Sequence, residues 1–108
     1  MTVKELCEKC GFAAVVTADG DREVTGCYTG DLLSWVMGRA KADDAWITIM
    51  SNINIIAVAS LADVSCIILS EGVTVDDDII ATAQQKEINI LSSALPSYET
   101  AVKVSEQI

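Results

Sequence analysis

No histidine occurs in the 108 residues, and that gap removes a whole branch of chemistry. Histidine-based acid–base catalysis, Ser-His-Asp triads and histidine-ligated metals are all excluded. Basic residues are also scarce. Lys and Arg total 7 against 16 Asp and Glu, giving a net charge of −9 and a pI near 4.1. Nucleic acids are bound by neutralising phosphates with Lys and Arg, so this balance argues against them. It argues equally against an anionic membrane surface. No GxxxxGK[ST] stretch is present, which excludes phosphotransfer of the P-loop kind. The chain has no internal repeat, low-complexity tract or long linker. Its opening, MTVKELCEKC, carries Glu5 and Glu8 and lacks a long apolar core, so it does not read as a signal peptide. The stretch from Ala45 to Ala62 contains Ser51, Asn52, Asn54 and Ser60. It falls short of the roughly 20 apolar residues that a membrane span needs. The expected setting is the cytoplasm.

What is present is apolar. The chain is 51% hydrophobic with a mean hydropathy of +0.39. At this length it is expected to form one domain over residues 1–108, with no room for a second core. A domain near this size leaves roughly a third of its unfolded-chain surface exposed. Some of the apolar content must then reach the surface or lie in a subunit contact, and a homodimer is expected.

The run from Trp46 to Gly72 holds only two charges, Asp63 and Glu71. Trp46–Met50 and Val64–Leu69 are short apolar runs bounded by turn signals, the pattern of strands buried on both faces. The segment between them is long enough for a helix, so the run reads as a βαβ crossover. Upstream, Thr2 and Glu5 form a capping box, and Val3, Leu6, Cys7 and Cys10 share one helical face closed by Gly11. Ala13–Thr17 reads as a strand, with a turn at Asp19-Gly20-Asp21. Glu23–Tyr28 reads as a short strand or an irregular segment. A helix from Leu32 to Ala40 is expected to bury Leu32, Leu33, Val36 and Met37. After Gly72, Thr74 or Asp76 caps a helix with Ile79, Ile80 and Ala83 inward. Ile88–Leu91 is a brief strand, and Pro96 opens a last helix with Ser97 as its cap. The alternation predicts an α/β fold, a mostly parallel sheet with helices on both faces.

Cys7-Glu8-Lys9-Cys10 is a single CxxC inside a helix rather than after a strand, and both thiols fall on the apolar stripe. Buried cysteines acting as small hydrophobes are the first reading. A zinc or cluster site with Cys27 and Cys66, or redox work, is the alternative. Asp76-Asp77-Asp78 reads as helix-dipole complement before it reads as a cation site. Trp35 and Trp46 read as core or interface anchors before a ligand-stacking pair. The polar corners carry more. Thr29-Gly30-Asp31, Ser51-Asn52 with Asn54, and Ser70-Glu71-Gly72 each stand at a helix start or beyond a strand's carboxyl end. In open parallel sheets that edge is where ligands bind. Two readings stand: helix caps, or a ligand shelf.

At these corners the chain resembles the DRTGG-domain family, from about Tyr28 onward. The resemblance rests on Asp44-Ala45-Trp46-Ile47, a polar turn, a helix, Cys66-Ile67-Ile68-Leu69, a turn ending in Gly72, and Pro96-Ser97-Tyr98-Glu99-Thr100-Ala101. The family's Asp-Arg corresponds to Asn52-Ile53 here, and its Thr-Gly-Gly to Ser70-Glu71-Gly72. The family is related to the N-terminal half of HPr kinase/phosphorylase and occurs in phosphate acetyltransferases and some regulated pyrophosphatases. The resemblance implies an α/β fold, dimerisation and a regulatory role without catalysis or cofactor, sensing a small ligand or a partner protein. In the pyrophosphatases such domains take part in adenine-nucleotide regulation. Ile53 in the arginine position cannot anchor a phosphate. The alternative function is a cysteine-based metal or redox protein of anaerobic metabolism.

Overall fold

A computed structural model describes residues 1–108. The elements run α1 (Val3–Cys10), β1 (Ala13–Val16), β2 (Gly26–Thr29), α2 (Leu33–Arg39), β3 (Asp44–Thr48), α3 (Asn54–Ala62), β4 (Cys66–Leu69), α4 (Asp77–Gln85), β5 (Ile90–Ser92) and α5 (Ser97–Ser105). The five strands form one sheet in the order β1-β5-β4-β3-β2. Strands β2 to β5 are parallel, and β1 closes the sheet antiparallel to β5. The α/β fold with a mostly parallel sheet is therefore as the alternation predicts.

Layering follows from handedness. Strands β2 to β5 are laid down side by side in chain order, and parallel crossovers are right-handed. The three crossover helices α2, α3 and α4 must then cover the same face. Their core holds Val36, Trp46, Ile55, Ile56, Ile67, Leu69, Ile79, Ala83 and Ile90. The opposite face is left to the first and last helices, which bury Val3, Leu6, Cys7, Cys10, Ala45, Ile47, Cys66, Ile68, Leu91 and Val104. Alternate residues of β3 and β4 go to opposite cores, the period-2 rule of a strand. Every residue of those two strands is buried, which is why their sequences carry no polar alternation.

Helix α1 has the expected capping box: Glu5 N–H donates to Thr2 Oγ1, Thr2 N–H donates to Glu5 Oε1, and Gly11 ends the helix with φ 70°. Several expectations need correction. In α2 only Val36 is buried; Leu33 packs partly, while Leu32 is 57% and Met37 46% exposed. The helix has two turns and touches its neighbours along a single line, too narrow for a four-residue stripe. In α4 Ile80 is only partly buried beside the buried Ile79 and Ala83. The segment from Glu23 contributes an isolated bridge to Thr2, and the strand proper begins at Gly26. The cap of α5 is Pro96, not Ser97, which is the first helical residue.

Candidate functional site

Parallel strands β2 to β5 all end on one edge, so the segments after Thr29, Thr48, Leu69 and Ser92 line up there. Of the nine sequence-predicted residues, Thr29 ends β2, seven stand in the segments that follow the strands, and Asn54 opens α3. Thr29 is the last residue of β2. The Gly30 carbonyl accepts from Trp46 Nε1 at 2.9 Å, and its N–H donates to the Ile47 carbonyl. Gly30 is required by crowding: a Cβ there would lie 2.9 Å from Tyr28 Cε2. Asp31 Oδ1 accepts from Thr48 Oγ1 at 2.8 Å and from Ile49 N–H at 3.0 Å, stitching the end of β2 to the end of β3. Ser51 is exposed. Asn52 Oδ1 accepts from Asn54 N–H at 2.9 Å and so steadies the start of α3.

The ends of β4 and β5 are bound more tightly. Ser70 is fully buried, with its Oγ 2.7 Å from Ser97 Oγ and its N–H donating to the Thr48 carbonyl. Glu71 (φ 60°) and Gly72 (φ 69°) both take the left-handed conformation. Their N–H groups donate to the carbonyls of Leu95 and Ser93. A Glu71 carboxylate oxygen accepts from Ser97 N–H at 2.8 Å, so the free N-terminus of α5 is capped by a residue from another turn. Ser93 and Thr100 are buried, with hydroxyls 2.8 Å apart, and Thr100 also donates to the Leu95 carbonyl.

The predicted residues therefore fall into two groups that meet where Thr48 joins Ser70. Asp31 reaches this junction through the Thr48 hydroxyl, while Asn52 and Asn54 stand beside it at the start of α3. Thr48, Ser93, Ser97 and Thr100 belong to the same network; sequence pattern marks Ser97 only as a helix cap and does not mark the other three as site residues. Their signal is present but faint, since each is a small hydroxyl next to or within an apolar stretch. No buried side-chain nitrogen or oxygen is left without a partner. The edge offers two carboxylates, Asp31 and Glu71, and exposed amides at Asn52 and Asn54, with no Lys or Arg among these segments. That composition suits a neutral polar group and opposes a polyphosphate. The molecule has three concavities, and none lies across this edge, although one begins at Ile53 and Asn54.

The four cysteines do not form a donor set. No group of three His, Cys, Asp or Glu side chains is arranged to hold a metal ion. Cys7 and Cys10 are buried in the α1 stripe, and burial raises both thiols above the ordinary value; Cys7 Sγ donates to the Phe12 carbonyl. Cys66 lies fully buried within β4 and is raised further for the same reason. Cys27, on the outer strand, is pushed up to about 11, first by desolvation and then by Asp44. Cys27 is the one exposed thiol, yet it stands near Asp44 and not near a cation, whereas reactive cysteines need an electropositive setting open to solvent.

Fold and edge together define a class: a small open-sheet α/β domain whose polar groups converge at the strand carboxyl ends, without an acid–base pair or metal donor set. Sequence comparison gives the family. The DRTGG domain model matches residues 29–107, and the chain belongs to that family. No curated protein matches the chain. Among solved structures, it is similar to the CBS and DRTGG domains of the regulatory region of Clostridium perfringens pyrophosphatase, complexed with activator, diadenosine tetraphosphate. The TM-score is 0.76 at 14% identity, over 99% of this chain and 47% of that one. This chain therefore spans about half the length of that structure, and the likeness is one of fold.

Proposed function

We propose that this chain is a non-catalytic regulatory module that works as a homodimer and senses a small polar ligand or a partner protein at the strand carboxyl edge. The observation that carries this reading is the DRTGG match over residues 29–107. The structural neighbour supports it, being part of a regulatory region complexed with a nucleotide activator. The dimer rests on the apolar excess, since Leu32, Trp35, Ile49 and Ile53 are all more than 40% exposed around the β2 and β3 ends of the edge. A relation to the N-terminal half of HPr kinase/phosphorylase, on this reading, brings no kinase activity, because the chain lacks a phosphate loop. No helix is long and apolar enough to cross a membrane, and the module is assigned to the cytoplasm.

For this chain the ligand is not an adenine polyphosphate. The edge carries Asp31 and Glu71, and Ile53 stands where the family places arginine. Calorimetry with AMP and diadenosine tetraphosphate, with light scattering of the same samples, tests both parts. Expected are a dimer, no micromolar nucleotide affinity in the wild type, and measurable affinity in Ile53→Arg. Micromolar binding by the wild type would overturn the electrostatic argument, and a mass of 11.5 kDa in solution would overturn the dimer.

A further inference from the structure

Helices α3 and α4 leave a groove of about 510 Å³ between them, well away from the Ser70–Ser97 network. It is lined by Asn54, Ile56, Ala57, Ser60 and Leu61 of α3, with Ile53 just before that helix, and by Thr82 of α4 and Lys86, the residue that ends α4. The volume falls within the range of sites that take small molecules, about 300–1,000 Å³. The floor is apolar, and Ile53 and Leu61 stay 47% and 72% exposed beside it, without a covering element.

Its charge sets it apart from the rest of the surface. The chain has 16 acidic residues, yet none lines this groove. Lys86 does, and its ammonium is in no ion pair, whereas Arg22 is committed to Asp43 and Asp63. The Thr82 hydroxyl is already donated to the Asp78 carbonyl. The Ser60 hydroxyl, the Asn54 side-chain amide and the Lys86 ammonium are the donors left for a ligand. An apolar trough with several donors, one cation and no carboxylate matches one ligand chemistry.

We propose that this groove binds a small amphipathic monoanion, an apolar body carrying a single carboxylate that pairs with Lys86. A second negative charge is disfavoured, because Lys86 is the only cation there and the chain as a whole is at −9. The groove shares Ile53 and Asn54 with the β3 end of the strand edge, but its cation, Lys86, lies outside that edge, so the proposal does not require a ligand there.

Octanoate, octanol and octylammonium are suitable probes, each titrated into isotope-labelled protein and followed by amide NMR shifts. Saturable octanoate shifts are expected at Ala57, Ser60, Leu61 and Lys86, with octanol at least tenfold weaker and octylammonium weaker still. Lys86→Gln should weaken octanoate at least tenfold, and Ala57→Glu should abolish its binding. Ala57 is exposed on α3 and Lys86 is exposed at the end of α4, so both accept these residues and the fold is kept, which unchanged spectra elsewhere would verify. Equal affinity for octanoate and octanol would overturn the proposal, as would indifference to Lys86→Gln, shifts centred outside the groove, or no saturable binding. Glu71→Gln, at the half of the strand edge away from the groove, should leave octanoate binding unchanged. Loss of binding in that variant would tie the effect to the edge and overturn a separate groove site.

Discussion

The two halves of the strand carboxyl edge occupy equivalent places in the sheet and are finished in opposite ways. Beyond β4 and β5, Ser70, Ser93 and Thr100 are buried, Ser70 pairs with Ser97 and Ser93 with Thr100, and Glu71 reaches over to cap α5. Beyond β2 and β3, Asp31 ties two strand ends together, but the residues around it, Leu32, Ile49 and Ile53, remain exposed and apolar. One half has been closed by the chain's own last helix. The other is held in shape and left uncovered. Polar residues at a sheet edge are thus poor indicators of binding when they satisfy each other, and the better indicator is a rigid edge next to uncovered apolar side chains.

The largest way to break this contrast is Trp46→Ala. Trp46 is fully buried under the open half and holds the Gly30 carbonyl. Removing so large a buried ring should cost about 3–5 kcal/mol. Urea denaturation reads the loss, and a loss under about 1 kcal/mol would mean that this half does not depend on the core beneath it. Thr100→Val acts on the closed half. It removes the Thr100 hydroxyl from the buried Ser93 hydroxyl, which then keeps only the Leu95 N–H, at a cost of about 1–3 kcal/mol. Amide exchange should then speed up at Glu71 and Gly72, whose N–H groups donate into that turn, and stay unchanged at Gly30 and Ile49. Equal acceleration in both halves would show that they open together.

A smaller effect separates backbone from side chain at Glu71. Glu71→Ala keeps a non-glycine residue at φ 60° and loses the cap on α5, so a loss of about 1 kcal/mol is expected. Glu71→Gly loses the same cap but relieves a left-handed strain of about 1–2 kcal/mol. The glycine variant should therefore melt at least as high as the wild type and above the alanine variant. The smallest effect at neutral pH is that of the thiols. Desolvation raises the Cys27 and Cys66 thiols above their ordinary value, so the folded state keeps protons that the unfolded chain releases. Stability should be flat below pH 9 and fall as pH rises toward about 11, with both halves weakened alike. A rise in stability between neutral pH and pH 9 would instead point to a thiol ionised in the folded state and revive the redox reading.

Much of the fold could be read because its signals are local. The Thr2–Glu5 box and the Gly11 stop depend on residues a few positions apart and stand where the pattern places them. The strands flanking α3 run Asp44–Thr48 and Cys66–Leu69, shifted by two residues at one or both ends from the apolar runs Trp46–Met50 and Val64–Leu69. Reading failed where a partner lies far along the chain. Ser97 was expected to cap α5, but its hydroxyl is engaged by Ser70 and the helix start is capped by Glu71, 26 residues upstream. Leu32 and Met37 obey helical periodicity, yet α2 is too short to bury them. For the candidate site, the turns could be found from their polar residues. The pairing through Thr48, Ser93 and Thr100 could not, because it depends on strand register, which single-sequence patterns do not reveal.

The sheet order has a consequence in time rather than in energy. Strand β1 is made first, but its only neighbour is β5, with Ala13 opposite Ser92 and Ala14 opposite Leu91. Strands β2, β3 and β4 can pair as soon as each emerges, because every crossover links neighbours. β1 must wait for nearly the whole chain, and contacts so distant in sequence are the slow ones to form. During synthesis the strand Ala13–Val16 is left with no partner, an edge of the kind that draws other chains into aggregates. The final step of folding is then the meeting of the two ends of the chain. A fragment ending before Ile90 would carry that unpaired edge permanently.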